Sequence, residues 1–269
     1  MSILRDHQHE GWVLAAYPDP KTSRPLIGAG FSLDVVATEH VQRDPLNPHP
    51  FLEPSSAQLW QAAGLSPDRL QAILQQFDRN LKQWKQKKYR KKVRARALPP
   101  QLTEEQATAL LRISTIQAVE NARAYCRNFD QLSASQQMAL SQLVFQMGVN
   151  LEGFQQFLSQ LNGDAPHDLA LTLSEVETPG QHWQSVQHAL IDSQWATHYT
   201  TRATTVIAMF DPDYSQDPAA AMRRVAVALP PPVKHHAKRH GASMRKVSNS
   251  THSHKKSTRK SSSSKAKLS

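Results

Sequence analysis

Capped segments with helical spacing dominate the chain and most restrict the fold that it can adopt. Residues 103–106 and 133–136 both match the capping-box pattern, in which a Ser or Thr precedes a Gln by three positions. Gly148 then closes a run whose apolar residues recur at intervals of three and four, namely Leu140, Leu143, Val144 and Met147. No alternation of strands with helices is present. The sequence therefore predicts a mainly α fold with a small β element.

The β element is expected near the N-terminus. Residues 1–16 have the apolar spacing of a short helix, and the prolines at 18, 20 and 25 exclude a helix beyond it. Gly28 and Gly30 then mark a short strand or hairpin. The small β element is therefore expected around Gly28 and Gly30.

Residues 34 to about 100 are predicted to form a separate inserted segment that is mostly helical. Ser56 is the expected cap of its first helix, and Ser66 with Pro67 is the expected start of the next. The last helix of the chain is expected to run from about Thr201 to Phe210.

The positive charge of the chain is concentrated in two segments. Eleven of the 32 Lys and Arg residues lie in residues 231–269 and nine lie in residues 82–96, and neither segment contains an acid. The rest of the chain contains the other twelve Lys and Arg residues and all 22 Asp and Glu residues, so its net charge is negative. The sequence predicts a folded domain over residues 1–218 and a disordered basic tail over residues 219–269, whose partner is anionic.

Several other classes of protein are not expected. No apolar run approaches the roughly 20 residues that a membrane helix needs, and the N-terminus has no apolar core of signal-peptide length. The chain is therefore expected to be synthesised in the cytoplasm and not to span a membrane. It is also expected to be a monomer. Cys126 is the single cysteine, which excludes an intramolecular disulfide. Metal binding by the five tail histidines is disfavoured, because a disordered tail lacks the fixed geometry of a metal site. Neither a metal nor a cofactor is predicted.

Two carboxylates near the N-terminus are the candidate catalytic groups. The stretch HEGWVLAAYPD, residues 9–19, places Glu10 nine positions before Asp19, the first close to a helix and the second just before a turn. Hydrolysis of a glycosidic bond needs one carboxyl group that is protonated and another that is charged. Different environments for the two groups would meet this requirement.

With its flanking motifs, this stretch resembles the phage-type lysozymes, the muramidases of tailed bacteriophages. HEGWVLAAYPD looks like their first helix and turn, and LIGAG, residues 26–30, looks like their hairpin segment. LTEEQATALLRISTIQAVENARAY resembles their long helix between lobes, and LVFQMG, residues 143–148, is similar to a core-helix motif. Trp195 and Arg202 look like the C-terminal Trp and Arg of the family. The resemblance covers residues 1 to about 213, apart from the insertion.

The resemblance implies a two-lobed lysozyme-like fold, cleavage of the β-1,4 bond between N-acetylmuramic acid and N-acetylglucosamine, and inversion of configuration. Glu10 would be the general acid and Asp19 the carboxylate that directs water. Arg202 would pair with Glu10 across the lobes. The residues implied along the cleft are Ser32, Phe145 and Gln146.

Two positions depart from the family pattern. The threonine whose hydroxyl helps to hold the water is replaced by Leu26, and Thr22 or Ser23 in the longer turn could supply a hydroxyl instead. Phe31 stands where the family has a histidine.

Two other functions remain as alternatives. A peptidoglycan-binding module without catalysis would keep the cleft but lack the water-holding hydroxyl. Nucleic-acid binding is the least favoured, because no aromatic interleaving accompanies the basic segments. The expected partners are therefore peptidoglycan and, through the tail, anionic polymers of the cell wall or outer membrane. The sequence does not choose among a phage endolysin, an exported effector and a domesticated enzyme.

Overall fold

The computed structural model describes residues 12–19, 22–41, 44–82, 98–164 and 179–230. These ranges are mainly helical, with two small antiparallel sheets in the N-terminal part. All of them belong to one compact unit, Met1–Val233. The predicted fold class, mainly α with a small β element, is confirmed at this level.

A three-stranded antiparallel sheet begins the described chain. Strands β1 (Val13–Pro18), β2 (Pro25–Gly28) and β3 (Phe31–Ser32) pair in that order. The predicted helix over residues 1–16 is wrong for residues 13–16, which lie in β1, whereas residues 1–11 lie outside the described ranges. Val13 and Tyr17 suit a strand, and pairing with β2 satisfies the backbone of β1, so the tertiary contact overrides the helical spacing.

The predicted insertion contributes a second sheet and two helices. Strands β4 (Thr38–His40) and β5 (Phe51–Glu53) form an antiparallel hairpin that the sequence analysis did not predict. Helices α1 (Ser56–Ala62) and α2 (Pro67–Leu81) follow.

One predicted cap in this segment is wrong and another is confirmed. Ser55, not Ser56, caps α1, because its hydroxyl accepts from the backbone N–H of Gln58 at 3.2 Å. The Ser56 hydroxyl is instead buried and donates to the Ser32 carbonyl at 2.8 Å. Ser66 caps α2 as predicted.

The insertion shares a hydrophobic core with the first sheet, so its prediction as a separate segment is wrong. Trp60, Ile73 and Phe77 from α1 and α2 are buried in the same cluster as Ile27 of β2 and Leu110 of the next helix. Packing these apolar side chains against one another removes their surface from water, and this stabilises the contact between the insertion and the sheet. Most of the predicted basic segment, from residue 83 onward, lies outside the described ranges.

The rest of the described chain is helical. The α-helices are α3 (Glu104–Ala122), α4 (Ala134–Met147), α5 (Gln155–Asn162), α6 (Pro179–Ile191), α7 (Gln194–His198), α8 (Thr200–Ala208) and α9 (Pro218–Ala228). Short 3-10 helices lie at Phe129–Gln131 and Gly148–Gly153. Both predicted capping boxes are present, at the starts of α3 and α4. Gly148 ends α4 with a φ of 55°, a conformation that favours glycine.

Helix α3 passes through two hydrophobic clusters. Leu110 belongs to the cluster around the first sheet, and Ala118 and Ala122 belong to a larger cluster built by α4 to α9. The long helix therefore connects the two halves of the core.

The predicted boundary between domain and tail is too early. Residues 219–228, assigned to the disordered tail, lie in α9, where Ala221 and Val225 are buried against the larger cluster. Asp217 caps this helix and Pro218 begins it, both of which favour helix formation. Residues 231–269, the remainder of the predicted tail, lie outside the described ranges. Within those ranges, no helix has the length and apolar content needed to cross a membrane.

Candidate functional site

The turn between β1 and β2 holds Asp19 in a defined position. The Asp19 N–H donates to the Arg24 carbonyl and the Ser23 N–H donates to the Asp19 carbonyl, both at 2.9 Å. One carboxylate oxygen of Asp19, Oδ1, accepts from the Thr22 backbone N–H at 2.6 Å and from the Thr22 hydroxyl at 2.9 Å. The half-buried carboxylate is thereby fixed at the tip of the hairpin rather than left as a mobile surface group.

The two hydroxyls proposed as substitutes for the family threonine differ in their surroundings. The Thr22 hydroxyl donates its single proton to Asp19 and also lies 3.3 Å from the Arg24 N–H, from which it accepts. Its role in this structure is therefore to hold Asp19. Ser23 is exposed and has a φ of 61°, in the left-handed region that turn residues occupy.

Leu26 lies on the same face of the sheet as Ser32. Leu26 pairs directly with Tyr17 on one side and with Ser32 on the other. Residues directly opposite one another in an antiparallel sheet project to the same face. Ile27, the next residue of β2, projects to the other face and is fully buried in the core. Leu26 is half-buried, so the departure from the family pattern lies on the face away from this core.

A cavity of about 220 Å³ brings together two of the predicted substrate-binding residues. Ser32 from β3 and Phe145 from α4 both line it, with Gly30 and Phe31 beside Ser32. Gln146 follows Phe145 on α4 and is half-buried, but it is not among the residues that line this cavity.

The same cavity contains residues that the sequence analysis missed. Phe51, Glu53 and Pro54 reach it from the β5 end of the inserted hairpin, and Gln117 and Asn121 reach it from α3. No local pattern marks these residues, because their position depends on how the insertion packs against α3.

Arg202 is buried in α8, with 7% of its surface exposed. Its guanidinium carbon lies 5.8 Å from the centre of the Tyr199 ring. Placing a guanidinium away from water is costly unless polar or anionic groups lie beside it, so this position is unusual for a residue with only a solubilising role. Glu10, its predicted partner and the predicted general acid, lies outside the described ranges.

A larger cavity, of about 410 Å³, lies elsewhere and contains none of the predicted site residues. Its charged lining residues are Arg127 and the acids Asp44, Glu152 and Asp164. Arg127 Nε lies 2.7 Å from Asp44 Oδ2, and Arg127 Nη2 lies 2.7 Å from Asp164 Oδ2. The hydrogen bond from Arg127 lowers the pKa of Asp44, and the bonds to Asp44 and Asp164 raise the pKa of Arg127. Because these groups satisfy one another, we assign the Arg127 cluster a structural role: it joins the loop after β4 to the ends of α3 and α5.

Arg127→Ala should lower the free energy of unfolding by about 2 kcal/mol, because it leaves the half-buried Asp44 and the exposed Asp164 without their shared cation. The matched control is Arg24→Ala, which removes an exposed Arg from a pair with the exposed Asp34. That change should cost less than about 1 kcal/mol. Urea denaturation of both variants measures the difference. Equal losses would contradict the structural role of the Arg127 cluster.

The single cysteine is not suited to act as a nucleophile. Burial raises the pKa of the Cys126 thiol to about 11, so the thiol is protonated at neutral pH and is a weak nucleophile. Among the described residues, no group of three His, Cys, Asp or Glu side chains is arranged to hold a metal ion.

Comparison with known proteins does not add to these observations. No protein-family model matches the chain, and no curated protein matches it. The resemblance to phage-type lysozymes therefore depends on the motifs quoted above and on the geometry of the residues that carry them.

Proposed function

We propose that the chain is a muramidase of the phage-lysozyme type, which hydrolyses the β-1,4 bond between N-acetylmuramic acid and N-acetylglucosamine in peptidoglycan. The observation that carries the proposal is the position of Asp19. A carboxylate that two hydrogen bonds fix in the β1–β2 turn is suited to direct a water molecule at a bound sugar. Strand β3 of the same sheet contributes Ser32 to the 220 Å³ cavity, although Asp19 itself is not among the residues that line it.

The proposed chemistry divides the work between two carboxyl groups. Glu10 donates a proton to the leaving glycosidic oxygen, while Asp19 accepts a proton from water as the water attacks the anomeric carbon. Thr22 donates two hydrogen bonds to Asp19 Oδ1, one from its backbone N–H and one from its hydroxyl, and these orient the carboxylate. Direct attack by water inverts the configuration, which requires space for the water between the two groups. The reaction needs no metal or organic cofactor.

Other predicted residues have supporting roles in this proposal. The buried Arg202 is the proposed partner of Glu10, and a cation beside a general acid also helps to orient it. Phe145 offers an apolar surface to the sugar ring, and Ser32 offers a hydroxyl. The two halves of the core that α3 connects correspond, in the proposal, to the two lobes of a lysozyme-like fold.

The test is digestion of purified peptidoglycan. The protein should clear a suspension of sacculi and release soluble fragments that end in a reducing N-acetylmuramic acid, detected by mass spectrometry after borohydride reduction. Fragments that end in a reducing N-acetylglucosamine would contradict the assigned bond. No clearing by a folded protein would contradict catalysis.

A peptidoglycan-binding module without catalysis is the second candidate, and Leu26 is the observation that favours it. A leucine side chain cannot hydrogen-bond water, and the Thr22 hydroxyl is already donated to Asp19. This candidate predicts that the protein sediments with sacculi and releases no fragments.

The basic tail is the proposed contact with anionic polymers of the bacterial surface. The eleven Lys and Arg residues within 231–269 would each contribute roughly 1 kcal/mol of attraction to an anionic membrane surface, which salt weakens over a Debye length of about 8 Å. The proposed site of action is the cell wall or periplasm, which the protein reaches after release or export.

A further inference from the structure

We propose that the inserted hairpin β4–β5 forms one wall of the glycan-binding cleft and that Glu53 directly contacts the bound sugar. The proposal rests on the function proposed above, because it takes the 220 Å³ cavity as part of the cleft. It adds a binding residue from a segment that the resemblance to phage-type lysozymes does not cover.

The Asn121 side chain of α3 hydrogen-bonds the backbone of β5 in the way that a neighbouring strand would. The Leu52 N–H donates to Asn121 Oδ1 at 3.1 Å, and Asn121 Nδ2 donates to the Leu52 carbonyl at 2.8 Å. Gln117 Nε2 donates to the same carbonyl at 3.1 Å. Asn121 is buried, so its two bonds to Leu52 are partly shielded from water. They fix the position of the residue that follows, Glu53.

The loop of the hairpin is also fixed to the helical part of the chain. Asn47, which is buried, donates from Nδ2 to the Arg123 carbonyl at 2.8 Å, and Asp44 pairs with Arg127. Phe51 is buried in the larger hydrophobic cluster. The hairpin is therefore a rigid part of the cavity and not a loop lying over it.

The register of the hairpin directs its two glutamates to opposite faces. Glu53 pairs with Thr38, while Glu39 pairs with Leu52, so the two glutamates lie on different faces of the two-stranded sheet. Glu53 lines the cavity and Glu39 does not. The Glu53 side chain is 41% exposed, and its Oε2 lies 3.5 Å from His40 Nε2, which leaves room for a ligand to approach.

Ser32 provides a second polar group in the same cavity. Its carbonyl is fixed by the buried Ser56, whose hydroxyl donates to it at 2.8 Å. Within the described chain, no hydrogen bond is made by the Ser32 hydroxyl, so it is available to a ligand. Phe31 and Phe145 add aromatic surface.

This combination fits an uncharged N-acetylated sugar. A carboxylate accepts hydrogen bonds from sugar hydroxyls and from an acetamido N–H, and it repels anions. Aromatic rings pack against the C–H groups of a pyranose. The cavity is smaller than the roughly 300 Å³ at which sites for drug-sized ligands begin, which suits a single sugar unit. The chemistry therefore favours N-acetylglucosamine, which carries both kinds of donor and no carboxylate.

The test compares Glu53→Ala with Glu39→Ala, which removes the same side chain from the other face of the same sheet. Both changes are made in the Glu10→Gln background, so that binding is measured without cleavage. Binding to sacculi and to a soluble tetramer of N-acetylglucosamine is followed by sedimentation and calorimetry. Glu53→Ala should weaken binding about 10-fold, the effect of one hydrogen bond to a charged group. Glu39→Ala should leave it within about 2-fold.

A kinetic readout separates contact with the sugar from a change in the fold. In the otherwise unaltered protein, Glu53→Ala should raise KM about 10-fold with little change in kcat, because the contact is already made in the bound ground state. Glu53→Gln, which keeps an acceptor oxygen, should restore part of the binding. Thermal denaturation of each variant identifies any loss of folded protein.

The outcomes distinguish this inference from the proposed function. If the protein cleaves sacculi but Glu53→Ala and Glu39→Ala bind equally well, the inference is overturned and the proposed function stands. If it binds without cleavage and only Glu53→Ala weakens binding, the inference stands and catalysis does not. If it neither cleaves nor binds, both are overturned.

Discussion

Glu10→Gln should abolish the lysis of purified walls while leaving the protein folded. An amide has the shape of a carboxyl group but cannot donate a proton to the leaving glycosidic oxygen. General acid catalysis contributes on the order of 10²–10⁴ to a rate, so clearing of a sacculus suspension should fall by about that factor. Circular dichroism and thermal denaturation of the variant should match those of the unaltered protein.

The control for this prediction is Glu39→Gln, the same change at an exposed residue of β4 away from the cavity. It should clear sacculi at the rate of the unaltered protein. The Glu10→Gln variant should also still bind sacculi, because glutamine has nearly the same size as glutamic acid and lacks only the acidic proton. Normal lysis by a folded Glu10→Gln protein would refute the assignment of Glu10 as the general acid.

Asp19→Asn should reduce lysis by a similar factor without opening the turn that holds this residue. The asparagine side chain keeps an oxygen that accepts from the Thr22 N–H and from its hydroxyl, so the hydrogen bonds at 2.6 and 2.9 Å can be retained. What is lost is the negative charge that accepts a proton from water. The rate should fall on the order of 10²–10⁴-fold, with a small change in melting temperature.

Two further variants separate the charge of Asp19 from its structural role. Asp34→Asn removes a carboxylate that pairs with Arg24 of the same turn, and it should leave lysis nearly unchanged. Thr22→Val removes the hydroxyl bond to Asp19 but keeps the carboxylate and the backbone bond, so it should cause a smaller loss of activity. If Asp34→Asn and Asp19→Asn were equally impaired, the effect would come from the turn and not from a base.

Helices α2, α3 and α4 could be predicted from the sequence because their capping signals are local. The two capping boxes, the Ser66 cap and the glycine at the end of α4 act within one turn of their own helix, and all four are present. Residues 13–16 were predicted as helix and form a strand, because β2 supplies hydrogen bonds that helical spacing does not reveal. Helix α9 is predicted as part of the tail for a related reason: its two buried residues, Ala221 and Val225, have small side chains, and only packing against the larger cluster orders them.

The candidate site divides in the same way. The sequence alone placed Asp19 before a turn and Ser32 and Phe145 in segments that resemble a known cleft. It could not place Glu53 beside Ser32 and Phe145, because 21 positions separate Ser32 from Glu53 and their approach depends on the insertion. It also could not show that the Thr22 hydroxyl is donated to Asp19, which depends on the conformation of the turn.

The sequence by itself determined the mainly α class, the starts of α2, α3 and α4, the end of α4, and the separation of a basic tail and a basic segment from an acidic remainder. Propensity, capping and charge are properties of neighbouring residues, so they can be read along the chain. Only the tertiary structure decided that the insertion joins the core of the first sheet, that α9 packs against the larger cluster, and that Asn121 holds β5 beside the cavity. These outcomes depend on apolar surfaces and hydrogen-bonding groups that are distant in sequence. Such groups stabilise one another only after folding has brought them into contact.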